Sequence, residues 1–459
     1  MSTRARQSRR PVAIDLFSGA GGLSLGLERA GFDVLCASDY DPVHAATHEF
    51  NFPQTPMLCG DISQMTAEDV ERAAEQGAGA HGNRDWSGRI DLIAGGPPCQ
   101  GFSFIGRRLV DDERNRLVFH FFRLIEELQP RYFLMENVPG MASGGHAGVL
   151  EQLIENFERI GYRFPKGEWD ILNAADFGVP QDRRRLFLIG AAEGENVAEL
   201  PEQTVQPVPR NGSSADPARG PLALGPTVRD AIGDIPNLTR FPSLLRTDSV
   251  TLAADAIDSQ EAAASDYTNN LRGVGRRTDS LDASRIWDRR ILTASARTVH
   301  TERSIARFRA TPPGTVESIS RFYRLHPQGL CNTLRAGTGS ERGAHTSPRP
   351  LHPVHPRVLS NREAARLHSL PDWFRPHTTK WHGFRQIGNA VAPLVGEAVG
   401  NAVVRALGVR PPAPSGSVAL GDSGLLEMTM QQATAYYGAD VTQIPAQRRR
   451  TTPSVRIAA

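Results

Sequence analysis

The feature that most constrains the fold is an alternation of short apolar runs with segments of helical periodicity between about residues 11 and 193. The first run is followed by glycines and then by a segment that ends at Gly31, a pattern typical of a strand, a tight turn and a helix. Strands that alternate with helices predict an α/β fold with a doubly wound, mostly parallel sheet. The predicted strands are VAIDLF (12–17), VLCASDY (34–40), DLIAGG (91–96), YFLMENV (132–138) and RLFLIGA (185–191).

The composition changes after about residue 192. Residues 193–285 are rich in Pro, Gly, Ala, Ser and Asp, and 286–375 are rich in arginine; a helical pattern returns at 388–407. Residues beyond about 410 have the composition of a flexible tail. We therefore predict a flexible basic arm (1–10), a first domain (11–193), a smaller irregular domain (194–383), a terminal helix (384–410) and a flexible tail (411–459).

Charge and cysteine content limit the class of protein only weakly. The formal net charge is +2, and 50 of the 52 basic residues are arginine because lysine occurs only at Lys166 and Lys380. Arginine suits phosphate and base-edge contacts, but on composition alone a GC-rich coding bias is the better explanation of the excess. The four cysteines lack CxxC spacing, so neither a zinc site nor a disulfide framework is predicted. No run approaches the ~20 apolar residues of a membrane span, and we expect a cytoplasmic protein.

A glycine turn follows the first predicted strand. DLFSGAGG places Gly19, Gly21 and Gly22 between strand and helix, where bare backbone lets a ligand approach the helix N-terminus. Asp39 ends the next strand and can accept hydrogen bonds from both ribose hydroxyls. Asp61 follows a third short strand, where it can bind an adenine amino group or simply form a turn. The pattern favours an adenosine-containing cofactor, a dinucleotide or S-adenosylmethionine, over a turn without a ligand.

Cys99 and Glu136 follow or end two further predicted strands. Because ligands of open α/β sheets bind outside the carboxyl ends of the strands, both side chains are expected at the same crevice as the glycine turn. A thiol beside a carboxyl group suits covalent catalysis. Taken singly, each has a structural alternative: a buried small side chain for Cys99 and a helix cap for Glu136.

The segment PQDRRRLFLIG adds three polar side chains. Alternation along a strand places Gln181, Arg183 and Arg185 on one face, where they can anchor a carboxylate or a phosphate, or form the surface of a solvated edge strand. His352 and His355 lie among prolines without matching ligands, which indicates a loop and no metal site.

Taken together and in order, these motifs resemble the C5-cytosine DNA methyltransferases. The resemblance covers about residues 11–195 and 355–410, and GPPCQGFS followed by ENV is its most specific part. The matching motifs are DLFSGAGG (15–22), SDYD (38–41), GDI (60–62), GGPPCQGFS (95–103), ENV (136–138), QDRRR (181–185), RVLSNREAARLHSLPDWF (357–374) and RQIGNAVAP (385–393).

The resemblance implies roles for individual residues. Cys99 is the expected nucleophile at C6 of cytosine, Glu136 the acid at N3, and Arg183 and Arg185 the groups that hold the base. The S-adenosylmethionine pocket is expected to include Phe17, Gly19, Gly21, Gly22, Asp39, Tyr40, Asp61, Ile62, Pro98, Leu117, Asn389 and Ala390, the last two brought back by the terminal helix. The expected DNA contacts are Gln100, Ser103, Arg107 and Gln181.

The implied function is methyl transfer from S-adenosylmethionine to C5 of cytosine in duplex DNA, without a metal. The irregular domain is then the target-recognition domain, residues 101–115 form a loop that closes on DNA, and the target base is flipped out of the duplex. The implied protein is a monomer whose product resists a cognate restriction endonuclease. Alternatives are the same chemistry on transfer RNA, a nicotinamide oxidoreductase, which has no need of Cys99 and Glu136, and an inactive DNA-binding relative.

Overall fold

The structure, a computed structural model, describes residues 9–83, 86–98, 116–143, 147–213, 221–274, 280–338, 348–414 and 416–439. Its largest element is a sheet of eight strands in the order β3-β2-β1-β4-β5-β9-β6, with β7 also paired to β9. The strands are β1 (Val12–Leu16), β2 (Asp33–Asp39), β3 (Met57–Cys59), β4 (Leu92–Gly95), β5 (Tyr132–Asn137), β6 (Tyr162–Arg163), β7 (Trp169–Asn173), β8 (Gln181–Asp182), β9 (Arg184–Ala192), β10 (Val250–Thr251), β11 (Ser284–Ile286), β12 (Ile291–Leu292), β13 (Cys331–Asn332) and β14 (Ser417–Ala419).

Strands β1 to β5 are parallel, and β9 runs antiparallel to β5. The α/β class and the mostly parallel sheet predicted from the sequence are therefore confirmed. The helices are α1 (Gly22–Ala30), α2 (Pro42–Asn51), α3 (Ala67–Ala80), α4 (Arg116–Leu128), α5 (Ala147–Arg159), α6 (Val228–Ile232), α7 (Ala254–Ala263), α8 (Asp266–Leu271), α9 (Glu302–Ala310), α10 (Asn361–Leu367), α11 (Lys380–Asn389), α12 (Pro393–Leu407) and α13 (Met430–Tyr437).

The two faces of the sheet bury separate apolar cores, as the two-residue period of a strand requires. Val12, Ile14 and Leu16 of β1 pack on one face with residues of α3, α4 and α5. Ala13 packs on the other face with residues of α1 and α12. Both faces are covered by helices, so the carboxyl edge of the sheet is left for a ligand.

Helices α1 and α12 pack closely through glycines. A Cβ atom built on Gly26 would lie 2.5 Å from the Cα of Gly396, and one built on Gly400 would lie 2.7 Å from the Cβ of Ala30. Such distances exclude larger side chains and let the two backbones approach. The terminal helix therefore returns to the first domain, although a break before Pro393 divides it into α11 and α12.

The region after residue 221 shares a core with the first domain. Leu25 and Phe52 pack in one cluster with Val228, Leu334 and Trp373. Buried arginines hold this region together: Arg366 makes a two-pronged ion pair with Asp372, at 2.8 and 2.7 Å, and a second with Asp234. Helix α7, at 254–263, lies in the part of the chain that is rich in Pro, Gly, Ala, Ser and Asp.

The predicted flexible tail is in part a folded segment. Strand β14 pairs in parallel with β11, and Leu425 and Leu426 pack against Phe50 of α2. Tyr436 and Tyr437 donate hydrogen bonds to the carboxylate of Glu49, at 2.8 and 2.6 Å. Residues 416–439 therefore join helix α2 to the later region and form secondary structure within the segment predicted to be a tail.

Arg9 and Arg10, which belong to the segment predicted to be a basic arm, contact the first domain. Arg10 donates to Asp33 at 2.7 Å and to the carbonyl of Phe32 at 3.0 Å, and Arg9 pairs with Asp91 at 3.1 Å. These contacts place both arginines in the fold, because their guanidinium groups meet carboxylates at the start of β2 and β4.

One stretch, Lys380–Leu407, is long and apolar enough to cross a membrane by length and composition alone. Two thirds of its most apolar window, 67%, is buried inside the protein. Packing against α1 accounts for this apolar character, since a core helix needs the same side chains as a membrane helix.

Candidate active site

The turn after β1 opens the carboxyl edge of the sheet. Gly19 and Gly21 have φ angles of +57° and +100°, the left-handed region that favours glycine. A Cβ on Gly21 would lie 2.2 Å from the ring of Phe52, whereas nothing lies within 4 Å of the corresponding position on Gly19. The turn therefore leaves open space in front of α1, where backbone N–H groups favour polar or anionic ligands.

Asp39 lies beside this turn with a fixed carboxylate. Its Oδ2 accepts the N–H of Gly19 at 2.8 Å, and its Oδ1 accepts the N–H of Asp41 at 2.9 Å. Tyr40, the residue between the two acids, is 41% exposed. A carboxylate with remaining lone pairs and an accessible aromatic ring thus lie together at the end of β2.

The predicted residues after β3 reach the same edge. The N–H of Gly60 donates to the carbonyl of Asp39 at 3.1 Å, which joins the ends of β2 and β3. Asp61 lies in the following turn, and its carboxylate accepts the N–H two residues on. Ile62 and Phe17 pack in one apolar cluster. These groups lie at the ends of β1, β2 and β3, along the same edge of the sheet as the glycine turn.

Glu136 and Arg185 form an ion pair at the ends of β5 and β9. The Nε of Arg185 lies 3.0 Å from Oε1 of Glu136. Burial raises the pKa of Glu136 above its usual value, against the opposing effect of Arg185 and Arg183. A Cβ on Gly96 would lie 3.0 Å from Oε2, so the segment after β4 runs directly past the carboxyl group. A carboxyl group in this setting is suited to holding and donating a proton.

The segment that carries the predicted nucleophile is anchored next to Glu136. Nδ2 of Asn137 donates to the carbonyl of Pro97 at 3.0 Å; Pro97 is buried and Pro98 is exposed. The structure thus brings the start of GGPPCQGFS to the carboxyl group. Four predicted residues lie outside the described residues: Cys99, Gln100, Ser103 and Arg107.

Arg183 does not face the open edge. It is 3% exposed, and it donates to the carbonyls of Leu334 at 3.1 Å, Gly388 at 3.0 Å and Ala390 at 2.9 Å. Burial lowers the pKa of its guanidinium to about 9. The expected contact of Arg183 with the base does not fit this geometry, and we assign it the role of a positioning residue that joins three parts of the chain.

Gln181 is buried in the same way. Its Nε2 donates to the carbonyl of Leu367 at 3.2 Å, and its Oε1 accepts the N–H of Leu334 at 3.0 Å. An amide that is fully buried and engaged at both ends has no access to DNA. The expected DNA contact of Gln181 is therefore not retained; of the three side chains predicted on this face, Arg185 reaches Glu136.

The remaining predicted pocket residues come from α4 and from the end of the chain. Leu117 is half-buried against the first core. A Cβ on Gly22 would lie 2.9 Å from the Cβ of Ala390, and Asn389 beside it is exposed. The end of α11 thus borders the glycine turn. Within the described ranges, no group of three or more His, Cys, Asp or Glu side chains is arranged to hold a metal.

A buried polar chain under the turn was missed from the sequence. Ser24 Oγ donates to Asp15 Oδ2 at 2.5 Å and lies 2.9 Å from Nε2 of His48. Burial raises the pKa of Asp15 to about 7 and lowers that of His48 to about 3. An acid inside the apolar run VAIDLF is a feature of the sequence that could have drawn attention to it, because a buried carboxyl group needs a polar partner.

A glycine turn, an acid at the end of the second strand and a carboxyl–arginine pair on one sheet edge are typical of the class of α/β enzymes that use a nucleoside-containing cofactor. The model of the C-5 cytosine-specific DNA methylases matches residues 12–405, and the chain belongs to this family. The chain is 47% identical over 440 residues to the type II methyltransferase M.XorII of Xanthomonas oryzae pv. oryzae, covering 96% of this chain and 95% of that one.

Two further proteins support the assignment. The type II methyltransferase M.AgeI of Thalassovita gelatinovora is 31% identical, over 85% of this chain and 98% of its own. A crystal structure described as a DNA modification methyltransferase encoded within an E. coli prophage matches with a TM-score of 0.61 and 33% identity, over 87% of this chain and 99% of its own. The protein is a DNA cytosine-5-methyltransferase, its family implies S-adenosylmethionine as donor, and the transfer-RNA alternative is not favoured.

Proposed function

We propose that the enzyme methylates C5 of cytosine within a specific duplex DNA sequence and uses S-adenosylmethionine as the donor. The observation that carries the proposal is the Glu136–Arg185 pair beside Gly96, on the same sheet edge as Asp39 and the glycine turn. A proton donor and a cofactor cradle on one edge are what transfer to a ring carbon needs.

The residues at the edge fit the cofactor. Open space over Gly19 suits the methionine part, and the remaining lone pairs of Asp39 suit the two ribose hydroxyls. Tyr40 is exposed enough to stack on a ring, and Asp61 and Ile62 follow it as partners for adenine. When bound, S-adenosylmethionine supplies an electrophilic methyl group. Phe17, Pro98, Leu117, Asn389 and Ala390 complete the proposed pocket.

The proposed chemistry activates a carbon that is otherwise unreactive. Cytosine is electron-poor at C6, so the thiolate of Cys99 adds there once the base is flipped out of the duplex. Glu136 protonates N3, which its raised pKa favours, and Arg185 orients the carboxyl group. C5 then has the electron pair that takes the methyl group. Loss of the C5 proton to a base and expulsion of the thiolate give 5-methylcytosine.

The proposal extends to DNA recognition and to biological role. Residues 194–383 form the target-recognition domain, and Gln100, Ser103 and Arg107 contact DNA near the flipped base. We propose a cytoplasmic monomer whose product protects host DNA from a cognate endonuclease, without a stable complex between the two enzymes.

The test is transfer of tritiated methyl from S-adenosylmethionine to duplex DNA of mixed sequence, with recovery as 5-methylcytosine. Cys99→Ser should abolish transfer and trapping on 5-fluorocytosine DNA while S-adenosylhomocysteine still binds. Cys59→Ser is the matched control and should stay active, because burial raises the pKa of the Cys59 thiol to about 12 and leaves it unreactive. Label in RNA and none in DNA, or an active Cys99→Ser variant, would refute the proposal. Bisulfite sequencing of DNA from expressing cells would give the target sequence.

A further inference from the structure

His44 lies between two carboxylates at the cofactor edge. It belongs to the first turn of α2, is 5% exposed, and directs one ring nitrogen to each acid. Nδ1 lies 3.6 Å from Oδ1 of Asp39, and Nε2 lies 3.8 Å from Oδ2 of Asp41. Nε2 is buried and has no hydrogen-bond partner within the described ranges. The ring therefore stands at ion-pair distance from both acids.

The surrounding charges favour the imidazolium form. Asp39 and Asp41 face His44 from β2 and the following turn, and Arg385 faces it from α11, with its Nη1 3.4 Å from Oδ2 of Asp41. Burial lowers the pKa of His44, but the two carboxylates outweigh both burial and Arg385 and hold it above its usual value.

Two further histidines face His44 and stay neutral. His382 lies on α11 and His377 just before it, and their rings are 5.0 Å apart. Burial lowers the pKa of His382 to about 4 and also lowers that of His377. His377 is engaged on both sides: its Nδ1 accepts the N–H of Thr379 and its Nε2 donates to the carbonyl of Met428. Of the three histidines, His44 has its pKa held above the usual value because it lies between the two acids.

We propose that His44 is a positioning residue for cofactor binding, whose imidazolium directs one N–H to Asp39 and the other to Asp41 and so orients the Asp39 carboxylate toward the ribose hydroxyls. The inference rests on the proposed function, in which Asp39 accepts those hydroxyls. Neutral imidazole has a single N–H. Deprotonation therefore removes one of the two N–H groups that face the acids and strengthens the repulsion between the two carboxylates, so the affinity for the nucleoside falls as the pH rises.

The test uses 5′-methylthioadenosine, which has the ribose hydroxyls but no amino-acid part that titrates near neutrality. Its Kd is measured by calorimetry between about pH 6 and about pH 9, a range that spans the titration of a histidine with a raised pKa. For the wild type we expect the Kd to rise about fivefold or more across this range. His44→Gln keeps a polar side chain that does not titrate. Its Kd for 5′-methylthioadenosine should already be high at low pH and should change little across the range.

His81 provides the matched control. Its Nδ1 lies 3.8 Å from Oδ1 of Asp33, at the opposite end of β2 from Asp39, with a similarly buried side chain. His81→Gln should keep the wild-type profile. The inference is wrong if His44→Gln keeps the wild-type dependence of Kd on pH, or if His81→Gln also loses that dependence. It is also wrong if the Kd of the wild type does not change with pH. His44→Ala replaces the Gln variant if thermal melting shows that the latter is unfolded. Absence of S-adenosylhomocysteine binding by the wild type at every pH would refute the proposed function itself.

Discussion

Arg183 and Arg185 are two positions apart, yet the structure predicts opposite consequences for their replacement by methionine. The side chain of Arg183 is buried and donates hydrogen bonds to three backbone carbonyls, whereas that of Arg185 is 17% exposed and forms an ion pair with Glu136. Methionine preserves most of the apolar stem in both cases and removes the charge. Arg183→Met should mainly lower stability, and Arg185→Met should mainly lower methyl transfer.

The stability cost of Arg183→Met follows from the acceptors left behind. The carbonyls of Leu334 and Gly388 lose the donor, whereas that of Ala390 keeps His368 Nε2 at 2.9 Å. Two buried acceptors cost about 1–3 kcal/mol each. Because a guanidinium no longer has to be desolvated, part of this cost is offset, and the expected loss is about 1–4 kcal/mol. Arg185→Met removes a partly exposed pair and should cost about 1 kcal/mol or less.

Urea unfolding followed by tryptophan fluorescence measures both losses, and tritium transfer to DNA measures the activity. Arg185→Met should lower transfer by about a hundredfold or more, as removal of one preorganised charged group does in other active sites. A loss of less than about 1 kcal/mol for Arg183→Met, together with abolished transfer, would show that its guanidinium acts on the base and would refute the positioning role. An Arg185→Met variant with full activity would refute the assignment of the site.

Two further predictions concern the supports of the cofactor turn. Burial raises the pKa of Asp15 to about 7, so the stability that its protonated form contributes is lost as the pH rises through that value. Asp15→Asn does not titrate, so its melting temperature relative to the wild type should increase from about pH 5 to about pH 8. Parallel melting profiles of the two proteins would contradict this prediction. Gly26→Ala would place a Cβ 2.5 Å from the Cα of Gly396 and should cost about 1–3 kcal/mol in urea unfolding. Gly79→Ala in α3, where nothing lies within 4 Å, should instead gain roughly 0.5–1 kcal/mol, and a change of the same sign in both variants would argue against this packing.

Local patterns were sufficient to predict the sheet and much of its edge. Five strands could be predicted because a continuous apolar run is a property of adjacent residues, and these strands are buried along nearly their whole length. They correspond to the runs at 12–17, 34–40, 91–96, 132–138 and 185–191. Since parallel strands end on one edge, the sequence also predicted that Asp39 and Glu136 lie at the same side of the sheet.

The roles of Gln181 and Arg183 could not be predicted in this way. Strand alternation correctly placed them on one face, but it could not show that this face is covered by Leu334 and Gly388, which are 151 and 205 positions from Arg183. The folded segment at 416–439 was missed for a related reason. Leu425 and Leu426 are too few to form an apolar pattern, and their partners lie on α2 near the other end of the chain.

The contact between α1 and α12 has a consequence for biosynthesis. Helix α1, which starts at the glycine turn, is synthesised long before helix α12, which packs on it through Gly26 and Gly396. N-terminal domains commonly fold while the rest of the chain is still being translated. Here the core that contains α1 stays uncovered until α12 has been synthesised. A chain that stops before α12 therefore lacks the helix that packs on α1 behind the glycine turn.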